Sequence, residues 1–283
     1  MQTATPAPTR PAKTQAELIH ELQQRNERRF TVNVAVSWII LLLLLIFLFS
    51  GFRAQLGPFT IKTIRVDLSF VAQWAPFIAL GVWQTLGISA LSIVLATLLA
   101  LLAALGRLSR FAPIYALSTF YVSLIRGTPL FLQVMFFFLA LPQLGIQLPG
   151  VVAGTLALGL NYGAYMSEIF RAGILSVGKG QREAALALGM TYTQMMKRIV
   201  LPQALRFAIP PTGNEFIAML KDSALVSATG FVHEIMWRAT KVGRSNFRNL
   251  EALIIAAVFY WLMTLVFTTI QDRLEKYTSR GDR

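Results

Sequence analysis

Along this chain, polar and apolar residues separate into blocks instead of alternating. Long apolar blocks cover residues 32–52, 77–105, 117–141, 151–174, 207–231 and 252–270, with charged residues gathered between them. A helix that crosses the hydrocarbon core of a bilayer needs about 20 mainly apolar residues, because lipid offers the backbone no hydrogen-bond partner. The blocks are of that order. The first is unbroken by polar residues over 39–49 and follows a polar leader, residues 1–31, which predicts a retained span and not a cleaved signal peptide. The pattern therefore predicts an all-α, polytopic transmembrane helical bundle of about six spans.

Composition sharpens this picture. Of the 283 residues, 55% are hydrophobic and 14% charged, whereas charged residues make up roughly a quarter of soluble domains. The net charge of +13 raises nucleic acid as a partner, but the bases are scattered between apolar runs and form no single aromatic-bearing surface, which argues against it. The absence of cysteine excludes disulfides, thiolate catalysis and thiolate metal sites. His20 and His233 are the only imidazoles and lie far apart, so no histidine metal site is expected, although paired carboxylates remain able to hold a hard cation.

Lysine and arginine are retained on the cytoplasmic side during insertion. With the N-terminus inside, that side carries Arg10, Lys13, Arg25, Arg28, Arg29, Arg107, Arg110, Arg126, Arg171, Lys179, Arg182, Lys197, Arg198, Arg206, Arg273, Lys276, Arg280 and Arg283. The outside carries only Arg53, Lys62, Arg65, Arg238, Lys241, Arg244 and Arg248. Both termini are therefore expected inside, and the basic run 238–248 is a local exception that the rule does not absorb. The predicted organisation is a cytoplasmic leader 1–31 with a short helix over 15–29, an additional N-terminal transmembrane helix 32–52, an extracytoplasmic segment 53–76, a membrane core 77–272 and a cytoplasmic tail 273–283. The leader is read as a solvated or interfacial tail.

Between the fourth and fifth blocks, residues 176–206 are too polar to cross and too apolar for a plain linker. The run QREAALAL, 181–188, favours helix, Gly189 suits a turn, and Thr191 can cap a second helix over 192–200 that ends at Leu201-Pro202. Ala184, Ala185 and Ala187 expose little side chain, so the first helix can enter a groove of another protein with Arg182 and Glu183 at its rim. An amphipathic helix resting on lipid satisfies the same periodicity.

The sequence EAALALGMTYTQMMKRIVLP, through Glu183, Ala184, Ala185, Gly189, Ile199, Leu201 and Pro202, resembles the EAA motif of ABC-importer permeases. The likeness extends from about residue 84 to 260 and is closest to permeases for polar amino acids. It is carried by Arg126-Gly127-Thr128-Pro129-Leu130, Ala164-Tyr165, Glu168-Ile169-Phe170-Arg171-Ala172-Gly173-Ile174, Lys179-Gly180-Gln181, Asn214-Glu215-Phe216-Ile217 and Leu220-Lys221-Asp222-Ser223.

The resemblance implies a type I ABC importer permease in the bacterial cytoplasmic (inner) membrane, with 77–272 as its core. Its short helix would dock in a cleft of an ABC ATPase. No G-x-x-x-x-G-K-[ST] phosphate loop is present, so ATP and Mg are expected in that separate chain; this one is expected to be no enzyme and to hold no cofactor. Further implied partners are a second permease copy or a homologous permease, an extracytoplasmic solute-binding protein, a polar amino-acid substrate and membrane lipid. Such subunits commonly have five spans with the N-terminus outside. The block 32–52 adds one, either packed at the edge of the dimer or serving only as an anchor.

Polar groups inside apolar blocks are costly and usually face a cavity or one another. They are Gln84, Thr85, Gln133, Asn161, Glu168, Asn214, Glu215, Lys221 and Asp222. A site for an α-amino acid needs an acceptor such as Glu168 or Asp222 and donors such as Gln84, Thr85 or Asn214. Competing structural roles are a Glu168–Arg171 pair on one helix face, ion pairs from Lys221 and Asp222 to other helices, and helix bridging by Asn214 and Gln133. Arg126 is expected near the inner surface, snorkelling or touching the ATPase. Pro210, Pro211 and Gly213 are expected to break the fifth span. Two rival functions remain: an ion-gradient transporter with Glu168 or Asp222 as carrier, and a sensor or scaffold that uses the ATPase contacts without moving solute.

Overall fold

The computed structural model describes residues 15–278. Residues 1–14 and 279–283, with Arg10, Lys13, Arg280 and Arg283 of the orientation argument, lie outside the described residues. The chain divides into two compact units, 1–67 and 68–283.

The first unit holds helix α1 (Gln15–Leu48) and an antiparallel hairpin of β1 (Arg53–Leu56) and β2 (Phe59–Lys62), with Arg53 opposite Lys62. Where the sequence suggests a leader helix and then a span, one 34-residue helix runs through both. No glycine or proline interrupts it, so nothing breaks its ladder of backbone hydrogen bonds. None of its apolar span 23–48 is buried within the chain, which leaves that surface to lipid or another protein.

The second unit is helical throughout. Its elements are α2 (Leu68–Ala79), α3 (Gly81–Arg107), α4 (Ala112–Arg126), α5 (Leu130–Met135), α6 (Gly150–Ser176), α7 (Lys179–Ala187), α8 (Tyr192–Met195), α9 (Leu201–Asp222), α10 (Ile235–Asn246) and α11 (Asn249–Thr278). The centre is the α3–α6 pair, where Ala96, Ala100 and Ala104 meet Ala157, Leu158, Tyr162 and Met166. In lipid there is little hydrophobic drive for helices to associate, so small residues that allow close contact decide which helices pair. A Cβ on Gly159 would lie 2.6 Å from Leu95 Cδ2, and one on Gly163 would lie 2.8 Å from the Tyr121 hydroxyl. That hydroxyl, on α4, donates to the Leu160 carbonyl at 2.7 Å.

Among the described residues, three helical stretches are long and apolar enough to cross a membrane alone: Gln23–Leu48, Leu68–Arg107 and Asn249–Lys276. The third apolar block does not cross as one straight helix; it bends by 104° between α4 and α5. The cause is Pro129, whose ring holds Thr128 out of helical geometry. The opposite correction applies to the fifth block, where α9 runs unbroken through Pro210 and Pro211. Gln271 Nε2 of α11 donates to the Pro210 carbonyl at 3.0 Å, a side-chain bond that ties α11 to α9 beside the proline pair.

A second cluster joins α2, α10 and α11 through Phe70, Ile78, Ile235, Ala239, Val242 and Ile255. Glu234, fully buried between the fifth and sixth apolar blocks, caps α10: its carboxylate accepts from Met236 N at 2.8 Å and Trp237 N at 2.6 Å. It also accepts from the Tyr260 hydroxyl at 2.6 Å. Burial pushes the Glu234 carboxyl above the usual range despite these bonds. At its other end α10 closes on Phe247, which has φ 54°. Left-handed geometry costs a residue with a side chain about 1–2 kcal/mol.

Candidate functional site

Two constellations stand out. The first is the segment that joins α6 to α9. Gly189 adopts φ +78°, its N–H returns to the Leu186 carbonyl, and Met190 N returns to the Ala185 carbonyl at 3.1 Å. This is the glycine-terminated turn that satisfies the last carbonyls of α7. Thr191 then opens α8 in a capping box with Gln194. The expected stop at Leu201-Pro202 does not occur. A π turn, Met196–Val200, carries α8 into α9 without a break, so Pro202 lies within a continuous helical stretch.

Within this segment the alanines divide. Ala185 is buried with Ile174, Val177, Met195, Val200 and Ala204, so it attaches α7 to its own chain. Glu183, Ala184 and Ala187 face outward beside Leu186 and Leu188, which are 51% and 83% exposed. Arg182 donates to the Ile174 carbonyl at the end of α6. Gln203 of α9 donates to Gln181 of α7 at 2.6 Å. The exposed face is thus borne by a segment tied at both ends to membrane helices.

The second constellation is a pocket of about 540 Å³ lined by Arg126, Thr128, Tyr162, Tyr165, Glu215 and Asp222, with Asn161, Gly127, Pro129 and Leu130. The α4–α5 bend makes it. Gln133 Nε2 reaches back across the bend to the Ile125 carbonyl at 2.9 Å and the Thr128 hydroxyl at 2.9 Å. Asn161 of α6 in turn donates to Gln133 Oε1 at 3.2 Å. The Tyr162 hydroxyl donates to Asp222 Oδ2 at 2.8 Å, and the Arg126 guanidinium lies 5.1 Å from the Tyr165 ring centre. Arg126 is one of the residues that line this pocket.

Glu168 stands just behind Arg126, at 3.3 Å. It also accepts from Arg107 of α3 and from Arg171, the latter at 2.9 Å. One carboxylate therefore joins α3, α4 and α6. Asn214 and Lys221, seven residues apart, share an exposed face of α9, whereas Glu215 and Asp222 turn toward the pocket. Gln84 and Thr85 lie elsewhere, on α3, and Thr85 is fully buried. Tyr162 and Tyr165 were missed in the sequence because tyrosine in an apolar block looks like core. Their spacing of three beside Glu168 was the available signal.

Residues 92–280 match the family of binding-protein-dependent transport system inner membrane components. The chain belongs to that family. The match begins within α3, so α1 and the hairpin fall outside it. As a member of this family, the chain is 40% identical over 220 residues to the arginine transport system permease protein ArtQ of Bacillus subtilis, covering 77% of this chain and 100% of the relative. It is 39% identical over 235 residues to the L-cystine transport system permease protein TcyB of the same organism, covering 81% and 100%. Among solved structures, an amino acid ABC transporter with histidines aligns at TM-score 0.71 and 37% identity, over 76% of this chain and 100% of that one. The MetNI methionine ABC transporter in an inward-facing conformation aligns at TM-score 0.62 and 19% identity, over 71% and 95%, and shares the fold.

Proposed function

We propose that this permease carries polar amino acids, with preference for those bearing a positive side chain, and that the Arg126–Asp222 pocket is their resting place in the membrane. The observation that carries the reading is the charge of that pocket: one guanidinium, Arg126, shares it with two carboxylates, Glu215 and Asp222. An α-carboxylate is matched by Arg126, and an ammonium or guanidinium is matched by Asp222 and Glu215. Relatives named for arginine and cystine support polar amino acids as the class, and the arginine relative agrees with the preference for a positive side chain.

In this reading six spans place both termini in the cytoplasm of a bacterium, and two permease chains pair so that the polar stripe of Asn214 and Lys221 faces the path and not lipid. Separate ATPase chains hold ATP and Mg and grip the outward face of Glu183, Ala184, Leu186 and Leu188. A solute-binding protein delivers substrate from outside. Closure of the ATPases moves α7, and the ties through Arg182 and Gln203 pass that motion to α6 and α9. The chain itself performs no bond chemistry.

The test is reconstitution of the permease with its ATPase and its solute-binding protein in proteoliposomes and a panel of radiolabelled amino acids. ATP-dependent uptake of arginine, lysine or histidine ahead of glutamate is expected. Uptake by the permease alone on a proton or sodium gradient would sink the reading.

A further inference from the structure

The family match begins within α3, so the importer reading leaves α1 and its hairpin without a role. In the hairpin Arg53 stands directly opposite Lys62, and Gln55 opposite Thr60. Like charges placed across a strand pair repel. Arg65 joins them, its stem lying against Gly51 just before β1, where a Cβ on Gly51 would be 3.2 Å from Arg65 Cβ. All three cations are exposed, and among the described residues none of their side chains has an ion-pair or hydrogen-bond partner. From residue 49 to residue 66 the sequence holds no carboxylate.

Strand alternation puts Ala54 and Phe59, with positions 56 and 61, on the other face of the hairpin. Phe59 is 74% exposed. A two-stranded hairpin with one bare apolar face and one unneutralised basic face is marginal in water, and it needs a surface that takes both. Its place at the end of α1 supplies one. Thr63 N bonds the Phe52 carbonyl at 2.8 Å, Ile64 N bonds the Leu48 carbonyl at 2.8 Å, and Gly51 N bonds the Ile64 carbonyl at 3.1 Å, which ties the hairpin to the helix. The uncharged stretch 30–48 of α1 rises about 28 Å along its axis, close to the roughly 30 Å of a hydrocarbon core. Arg25, Arg28 and Arg29 bound that stretch at one end and the basic hairpin bounds it at the other. Both clusters fall at the depth of lipid headgroups. The insertion rule accounts for the first cluster and disfavours the second.

We propose that the β1–β2 hairpin is a binding site for anionic phospholipid. Arg53, Lys62 and Arg65 hold a headgroup phosphate of the leaflet at the end of α1, while Phe59 enters the acyl boundary. The site goes beyond the importer reading and does not depend on which solute is carried. Arginine and lysine match a phosphodiester in charge and in donors. An interfacial element that is apolar on one face and basic on the other binds anionic lipid in this way. A second copy of the chain fits the patch poorly. Each copy has a net charge of +13, and the carboxylates expected on that side are committed. Glu234 is buried and accepts from Met236 N, Trp237 N and Tyr260, Glu251 pairs with Arg248, and Asp67 is engaged within its own chain.

The experiment is native mass spectrometry of the permease–ATPase complex, released from detergent and titrated with phosphatidylglycerol or with phosphatidylcholine of the same chain length. The wild type is expected to retain phosphatidylglycerol ahead of phosphatidylcholine. Arg53→Gln, Lys62→Gln and Arg65→Gln combined should weaken the tightest phosphatidylglycerol step about tenfold or more. Insertion should not suffer, because the variant removes bases from the side that the rule disfavours. Phe59→Ser should weaken both lipids, and Lys241→Gln with Arg244→Gln, which removes exposed cations elsewhere, should leave both unchanged. Equal phosphatidylglycerol affinity in wild type and triple variant overturns the site. So does an equal loss in the Lys241 and Arg244 variant, which would show an effect of net charge alone. Displacement of the lipid by free glycerol phosphate at matched concentration assigns the patch to a soluble anion and overturns the lipid. The same spectra count permease copies, so a triple variant that sheds a copy while keeping its lipid assigns the hairpin to chain pairing and overturns the proposal. Unchanged lipid retention with a weaker ATPase response to the solute-binding protein overturns it in favour of that partner.

Discussion

The Tyr162 hydroxyl donates to Asp222 Oδ2 at 2.8 Å, so α6 and the end of α9 meet over a carboxylate that also lines the polar pocket. Removing that charge is expected to cost cationic substrates more than neutral ones. Asp222→Asn should raise KM for arginine or lysine about ten- to a hundredfold, in line with about 1.5–3 kcal/mol for a hydrogen bond to a charged group, and shift glutamine much less. Competition uptake in proteoliposomes reads the difference. Tyr162→Phe should give a smaller loss spread evenly over substrates.

Glu168 holds Arg107, Arg126 and Arg171 together, and it reaches the pocket only through Arg126. Glu168→Gln should therefore destabilise the bundle by about 1–3 kcal/mol, below the figure for a fully buried pair because the side chain is partly exposed. Uptake of cationic and acidic substrates should fall alike. Thermal unfolding in detergent, measured beside the uptake panel, checks both; a loss confined to cationic substrates would contradict the structural role.

At Gly189 open space surrounds the position where a Cβ would stand, so the constraint is its φ of +78° and not crowding. Gly189→Val should strain the α7–α8 turn by at least about 1–2 kcal/mol and reduce transport per ATP hydrolysed. Gly189→Asn, which tolerates that geometry better, should retain more. Equal coupling ratios in both variants would show that the turn does not transmit the motion.

Glu234 has a carboxyl raised by burial, so the folded protein binds its proton more readily than the unfolded chain does. The sign follows: this group favours folding more as pH falls from neutral through the raised value, and that contribution is lost as pH rises through it. Glu234→Gln should remove this part of the pH dependence of thermal stability. Unfolding curves at several pH values between weakly acidic and neutral would show it.

Close packing of α3 on α6 gives a further outcome. At Gly163 a Cβ would stand 2.8 Å from the Tyr121 hydroxyl and 2.9 Å from Leu99 Cβ, so Gly163→Val should destabilise by about 1–3 kcal/mol. Lower yield of folded protein by size-exclusion chromatography is the readout, with Gly178→Val as a contrast because no atom lies within 4 Å there.

By itself the sequence determined the membrane-helical class, since blocks of apolar residues have few stable alternatives when backbone groups must be satisfied without water. It also determined the turn at Gly189 and the cap at Thr191, which depend on residues close in the chain. Only the tertiary structure decided the rest. The proline signals misled three times: Pro210 and Pro211 do not break α9, Leu201-Pro202 does not end the helix before it, and Pro129 bends a block that looked continuous. Local propensity cannot see the packing against other helices that holds such segments. The same holds for the polar inventory. Glu168 and Asp222 look equivalent as carboxylates in apolar runs, yet three arginines from α3, α4 and α6 enclose one while the α4–α5 bend opens a pocket beside the other. Which polar groups share a cavity is set by how helices cross, and that depends on small residues such as Gly159 and Gly163 letting α3 and α6 approach.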